Sequence, residues 1–134
     1  MKKLNIMKNI LFTLAVLISF GSYSQSKADN INAMVKGART TIGTVDELNG
    51  IVMQNIFNES NEAIVYEIKL TKKETADIFR NYQSKEQLIL QDKQLGKKGV
   101  SAFVIKHNIV VKYRYYYNNS IIKSLTVMPN EWNN

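Results

Sequence analysis

The sequence predicts an α+β domain: an antiparallel sheet of two hairpins, about four strands, with helices packed on one face. Period-2 alternation in "EAIVYEIKL" (62–70) marks a strand, and helical apolar spacing marks 31–38 and 78–95. The run "VVKYRYYYNNSIIKSLTV" (110–127) has β-branched and aromatic arms around an Asn-Asn-Ser turn, which marks a second hairpin. The expected order is α-β-β-α-α-β-β.

The chain has 134 residues, no cysteine and a formal net charge of +7. It opens on Lys2, Lys3 and Lys8, followed by "ILFTLAVLISF" (10–20) and small residues at Ser22 and Ser24. A basic start, a short apolar run and a small-residue exit predict a secretory signal peptide over 1–24. A bilayer span needs ~20 apolar residues, so no stable membrane anchor is expected after cleavage before Gln25. A single α+β domain is expected over 25–134. The three leader lysines account for part of the basic charge, so the mature domain is only mildly cationic. That charge favours anionic envelope surfaces loosely and does not call for nucleic acid. Without cysteine there is no disulfide, thiol chemistry or iron–sulfur site, and the fold must rely on packing.

Ile31, Met34, Val35 and Ala38 make the first helical stripe, with Asp29 or Asn30 as its expected cap. "TTIGTVDELNG" (40–50) reads as an irregular connection. "IVMQNIF" and "EAIVYEIKL" form a hairpin around the polar turn "NESN". Thr71 with Glu74, and Ser84 with Gln87, are capping-box signatures that start two helices. Ile78, Phe79 and Tyr82 supply the inner face of the first, and Leu88 and Leu95 that of the second. Val100, Phe103 and Val104 suggest a last short helix ending near His107-Asn108, where Asn tolerates the left-handed closing conformation.

A three-residue turn at Asn118-Asn119-Ser120 pairs Tyr117 with Ile121, Tyr115 with Lys123, Tyr113 with Leu125 and Val111 with Val127. A two-residue turn would set Arg114 against Lys123, like charge on like charge. Val111, Tyr113 and Tyr115 are therefore expected in the core, with Tyr66 and Tyr113 facing Phe79 and Phe103. Lys112, Arg114 and Tyr116 then share the outer face as an aromatic and basic platform, with Lys97 and Lys98 in the neighbouring "GKKG" as a second surface. Lys93 and Lys106 complete that cationic cluster, which lacks the phosphate-loop pattern and reads first as a solubilising surface.

Catalytic signals are sparse. His107 is the single histidine; Ser101 is off its helical face, and no G-x-S-x-G elbow occurs. Asp46, Glu47 and Glu67 are the carboxylates that a hydrolase would need in one cleft. No metal-ligand spacing occurs, and no metal, catalytic residue or cofactor is expected. The reading is an exported, non-enzymatic binding module of the envelope, inhibitor- or immunity-like, whose partner is an envelope protein or an anionic envelope polymer. A small envelope hydrolase using the carboxylates or His107 is the alternative.

"ARTTIGTVDELNGIVM", "AIVYEIKL" and "HNIVVKYRYYYNNSIIKSLTV" together resemble a diffuse group of small exported α+β proteins of Gram-negative bacteria with no assigned function. The "SYSQ" exit is similar to leaders of Bacteroidetes. Ile42 stands where the group has proline, and the cysteines of some members are absent. The resemblance implies the fold and carries over no active-site residue.

Overall fold

A computed structural model describes residues 26–96 and 99–133. The expected signal peptide, together with Lys97 and Lys98, lies outside the described residues.

Ser26 caps the first helix, α1 (Lys27–Ala38), by accepting from Asp29 N at 3.1 Å. The cap thus falls before the Asp29 or Asn30 expected from sequence, since a serine hydroxyl can reach the free amides of the first turn. Ile31, Met34 and Ala38 point into the core, as their spacing requires. The stretch read as an irregular connection contains a short edge strand, β1 (Val45–Asp46), antiparallel to β2 (Ile51–Glu59). Between them Asp46 accepts from Asn49 N and Nδ2, at 3.2 and 2.7 Å, closing a tight turn. Gly50 (φ +67) follows, and a Cβ there would lie 2.5 Å from Thr71 Oγ1.

β2 pairs antiparallel with β3 (Ala63–Leu70), then α2 (Lys73–Tyr82), α3 (Lys85–Leu95) and α4 (Ser101–His107) lead to β4 (Val110–Tyr117). β4 runs parallel to β3, with Tyr66 beside Tyr113 and Glu67 beside Arg114. β5 (Ser120–Val127) completes the order β1-β2-β3-β4-β5. The expected two-hairpin antiparallel sheet is therefore corrected to a mixed sheet of five strands, and the order becomes α-β-β-β-α-α-α-β-β. A parallel neighbour needs a crossover, and the three helices supply it.

Ser84 caps α3 through Gln87 N at 3.2 Å. The Thr71 box is not formed. Lys72 precedes α2 without a side-chain cap, and the Asp46–Gly50 turn holds that end instead. Thr75 Oγ1 donates to Asn49 O at 2.6 Å, Thr71 N to Gly50 O at 2.7 Å, and Lys72 Nζ to Leu48 O at 2.7 Å. Asn108 closes α4 in the left-handed conformation (φ 56).

The last hairpin combines both readings of its turn. Asn118 and Asn119 both have positive φ (50 and 65), as a two-residue type I′ turn requires, and Tyr117 pairs with Ser120 rather than Ile121. A bulge at Ile122 then resets the phase, so Tyr115–Lys123, Tyr113–Leu125 and Val111–Val127 face each other as expected. Lys123 escapes the apolar side by donating to Arg80 O at 3.0 Å.

Alternate strand residues Ile56, Ile64, Tyr66, Ile68, Val111, Tyr113 and Tyr115 meet Ile31, Met34, Phe79, Leu88 and Val104 in one core. The Tyr66 and Tyr113 rings stack at 5.3 Å, and Phe79 packs against Tyr115 at 5.1 Å. Tyr115 OH accepts from Gln83 Nε2 at 2.9 Å. One expectation fails at the helices: Tyr82 is 54% exposed. Phe103 packs against the core as expected but is only partly buried, with its ring 4.5 Å from that of His107.

Truncating Tyr66 or Phe79 to alanine should cost ~3–5 kcal/mol in urea unfolding, a large part of a small domain's stability. Phe103→Ala and Tyr116→Ala should cost clearly less. The Tyr66 hydroxyl is buried and has no hydrogen-bond partner among the described residues. Tyr66→Phe should therefore be neutral or stabilising by up to ~1–3 kcal/mol. A Tyr66→Phe variant that melts well below the wild type would contradict this account.

Candidate functional site

Among the described residues, every α-helix contributes to the core on one side of the sheet, and the other side carries strand residues alone. Across that helix-free face run the rows Phe57–Val65–Lys112–Thr126 and Asn55–Glu67–Arg114–Ser124. Lys112, Arg114 and Tyr116 lie at alternate positions of β4, so the structure brings the three expected platform residues together.

They are not a bare cationic platform. Lys112 Nζ bonds Glu59 Oε1 closely, and Arg114 Nη2 donates to Glu59 Oε2 at 2.7 Å. Arg114 Nη1 lies 3.9 Å from Glu67 Oε2, and its guanidinium sits 5.9 Å above the Phe57 ring. Glu67 also accepts from Tyr116 OH at 2.6 Å and from Asn55 Nδ2 at 3.3 Å. One guanidinium is thus bracketed by two carboxylates; Glu59 holds one further donor and Glu67 two. Beneath them Val65 is fully buried on this nominally open side. Phe57 and Lys112 are its cross-strand neighbours on that side.

Hydrogen bonds from Lys112 and then Arg114 hold the Glu59 carboxyl below the ordinary glutamate range. The bond to Glu67, and secondarily burial, raises the Tyr116 hydroxyl above the usual tyrosine value. Tyr116 is therefore a neutral donor at neutral pH.

The sequence reading missed Glu59, Asn55 and Phe57. Alternation continued from the core residues Ile51 and Met53 would put all three on the inner face; the register shift between Met53 and Asn55 brings them to the outer one instead. Glu59 was identifiable only as an acidic residue before a turn.

The hydrolase candidates do not converge. Glu67 lies on the helix-free face, while His107 ends α4 in the helical layer on the other side of the sheet. Asn30 Nδ2 lies 3.0 Å from His107 Nδ1, and burial, then Lys106, lowers the His107 pKa, so the neutral ring accepts that bond. Asp46 is committed to its own turn through Asn49, and Glu47 is exposed. Lys93 and Lys106 are exposed on separate helices. Among the described residues, no cluster of three His, Asp or Glu could hold a metal, and no helix is long and apolar enough to cross a membrane.

No protein-family model matches the chain, and no curated protein matches it. Among solved structures, it is similar to a protein of Pseudomonas aeruginosa described provisionally as secreted. The two are 13% identical with a TM-score of 0.49, over 82% of this chain and 99% of that one. Nothing about function follows from a likeness at that level.

The Glu59 shift predicts a pH dependence. A carboxyl whose folded pKa is depressed contributes stability above its unfolded pKa, and that contribution is lost as pH falls through the folded value. Glu59→Gln should lower the urea midpoint at about pH 7, and the gap from wild type should close towards about pH 3. Glu131, lowered by the Met128 amide and then by Lys85, titrates in the same acid window. The comparison should therefore be made against Glu131→Gln. A gap that stays constant with pH would show that Glu59 acts by packing alone.

Proposed function

We propose that the protein is an exported, non-catalytic binding module of the cell envelope, and that its helix-free sheet face docks a protein partner. The observation that carries this reading is the Glu59–Arg114–Glu67–Tyr116 network. It is an ordered array of donors and acceptors on a side of the sheet that no helix covers among the described residues. The signal-like N-terminus supports export.

The charge arrangement favours protein over anionic polymer. Lys112 and Arg114 are each paired to Glu59, so they offer a polyanion little uncompensated charge. Fixed donors, acceptors and a partly exposed aromatic instead suit the mixed polar pattern of protein interfaces. Enzyme inhibition or toxin immunity is the form of partnership that small size and export accommodate. The separation of Glu67, Asp46 and His107 gives a carboxylate or histidine hydrolase no common cleft.

Capture from envelope extract by the wild type, by Arg114→Ala/Tyr116→Phe and by the surface control Lys73→Ala tests the face. Wild type and control should retain one shared protein partner, and the double variant should lose it by about tenfold or more. Equal recovery by all three would remove this face from the function. Retention of glycan or another polyanion alone, falling steeply with salt, would replace the protein partner with a polymer.

A further inference from the structure

The two edges of the sheet are treated differently. At one edge β1 covers the start of β2, and Gly43 and Thr44 hydrogen-bond to the Met53 backbone. Further along, Arg39 Nη1 donates to Ile56 O at 2.9 Å, and Asn55 Oδ1 accepts from Ile56 N at 3.0 Å. That edge is closed by the protein itself. At the other, β5 has eight residues, and among the described residues nothing hydrogen-bonds to its outer backbone. β5 contains no proline, and its single charge, Lys123, is turned away to Arg80 O. Natural sheets ordinarily guard such an edge. The Ile122 bulge protects only its first part, leaving Lys123–Val127 regular.

The helix beside this edge carries a matching surface. α3 packs against β5, and Glu86, Ile89, Leu90 and Lys93 recur on it at i, i+3, i+4 and i+7. They line one groove with Lys85 and Glu131, and Leu90 is 52% exposed.

The geometry points to a symmetric dimer: β5 pairs antiparallel with β5 of a second copy, and α3 packs on its own symmetry mate. Two identical strands paired antiparallel are related by a two-fold axis perpendicular to the sheet. Both helical layers therefore fall on the same side, where the two α3 helices approach antiparallel. About a central Leu90–Leu90 contact, Glu86 of each copy faces Lys93 of the other, so the stripe is complementary in charge to itself. An axis at Ser124 or Leu125 also keeps Lys123 away from its own copy. The dimer would join two five-stranded sheets and set both helix-free faces side by side on one continuous surface.

Sedimentation equilibrium of the full chain should show a dimer dissociating in the micromolar range. Glu86→Lys and Lys93→Glu, which place like charges together, should each weaken it by about tenfold or more. The double swap Glu86→Lys/Lys93→Glu should return the affinity to within about threefold of wild type. Amide exchange over Lys123–Val127 should slow with concentration in the wild type and not in Glu86→Lys. Unchanged far-ultraviolet circular dichroism and thermal midpoints at low concentration would show that each variant folds. A monomer at about 100 µM, well above micromolar dissociation, would overturn the proposal. So would a dimer indifferent to the single swaps, or one that leaves the β5 amides unprotected.

Discussion

The parallel pairing of β3 with β4 is the constraint on which the rest of the molecule depends. A parallel neighbour cannot be reached by a tight turn, so the chain must cross from the end of β3 to the start of β4. It does so through α2, α3 and α4, and these helices share one core with α1. One side of the sheet is thereby filled with rings and aliphatic chains, and among the described residues the other is left to the strands. The same pairing sets Glu67 beside Arg114, so the junction that organises the core also creates the polar face opposite it.

Because β3 is central, its two faces meet different demands, and its sequence meets both. Ile64, Tyr66, Ile68 and Leu70 enter the helical core, while Ala63 and Val65 are buried on the far side beneath neighbouring side chains. A central strand buried twice over reads as a nearly continuous apolar run. Glu67 interrupts that run and lies half-buried among Asn55, Arg114 and Tyr116.

What the sequence revealed and what it concealed divide along locality. Elements fixed by short-range chemistry were readable: the Ser84 cap, the left-handed Asn108, the α1 stripe, and the inward tyrosines at 66, 113 and 115. Elements fixed by distant partners were not. β1 is two residues held by β2, the start of α2 is secured by the Asp46–Gly50 turn, and strand direction at β3–β4 has no local signal. The last hairpin shows how a correct constraint can reach a wrong detail. Keeping like charges apart did select the pairs Tyr113–Leu125 and Val111–Val127. The chain meets that demand with a favourable Asn-Asn turn and a bulge instead of a longer loop. Of the site, Lys112, Arg114 and Tyr116 were found on one face because period-2 alternation holds through β4. Glu59 and Phe57 were hidden because it fails in β2.

The ion pairs on the helix-free face are poor candidates for stabilisers, which bears on why they are there. Arg114 and Lys112 keep 25% and 31% of their side chains exposed, and partly solvated pairs of this kind are typically worth ~0–1 kcal/mol. Covering Val65 needs only aliphatic bulk, and keeping a sheet soluble needs only mobile charge. Neither demand explains why Tyr116 OH and Asn55 both donate to Glu67 while Arg114 is held between Glu67 and Glu59. Fixing those side chains costs rotamer entropy in the free protein. An ordered polar surface recovers that cost when a partner binds without having to order it again. Preorganisation of this kind has a use on a docking face and little use on a merely solvated one.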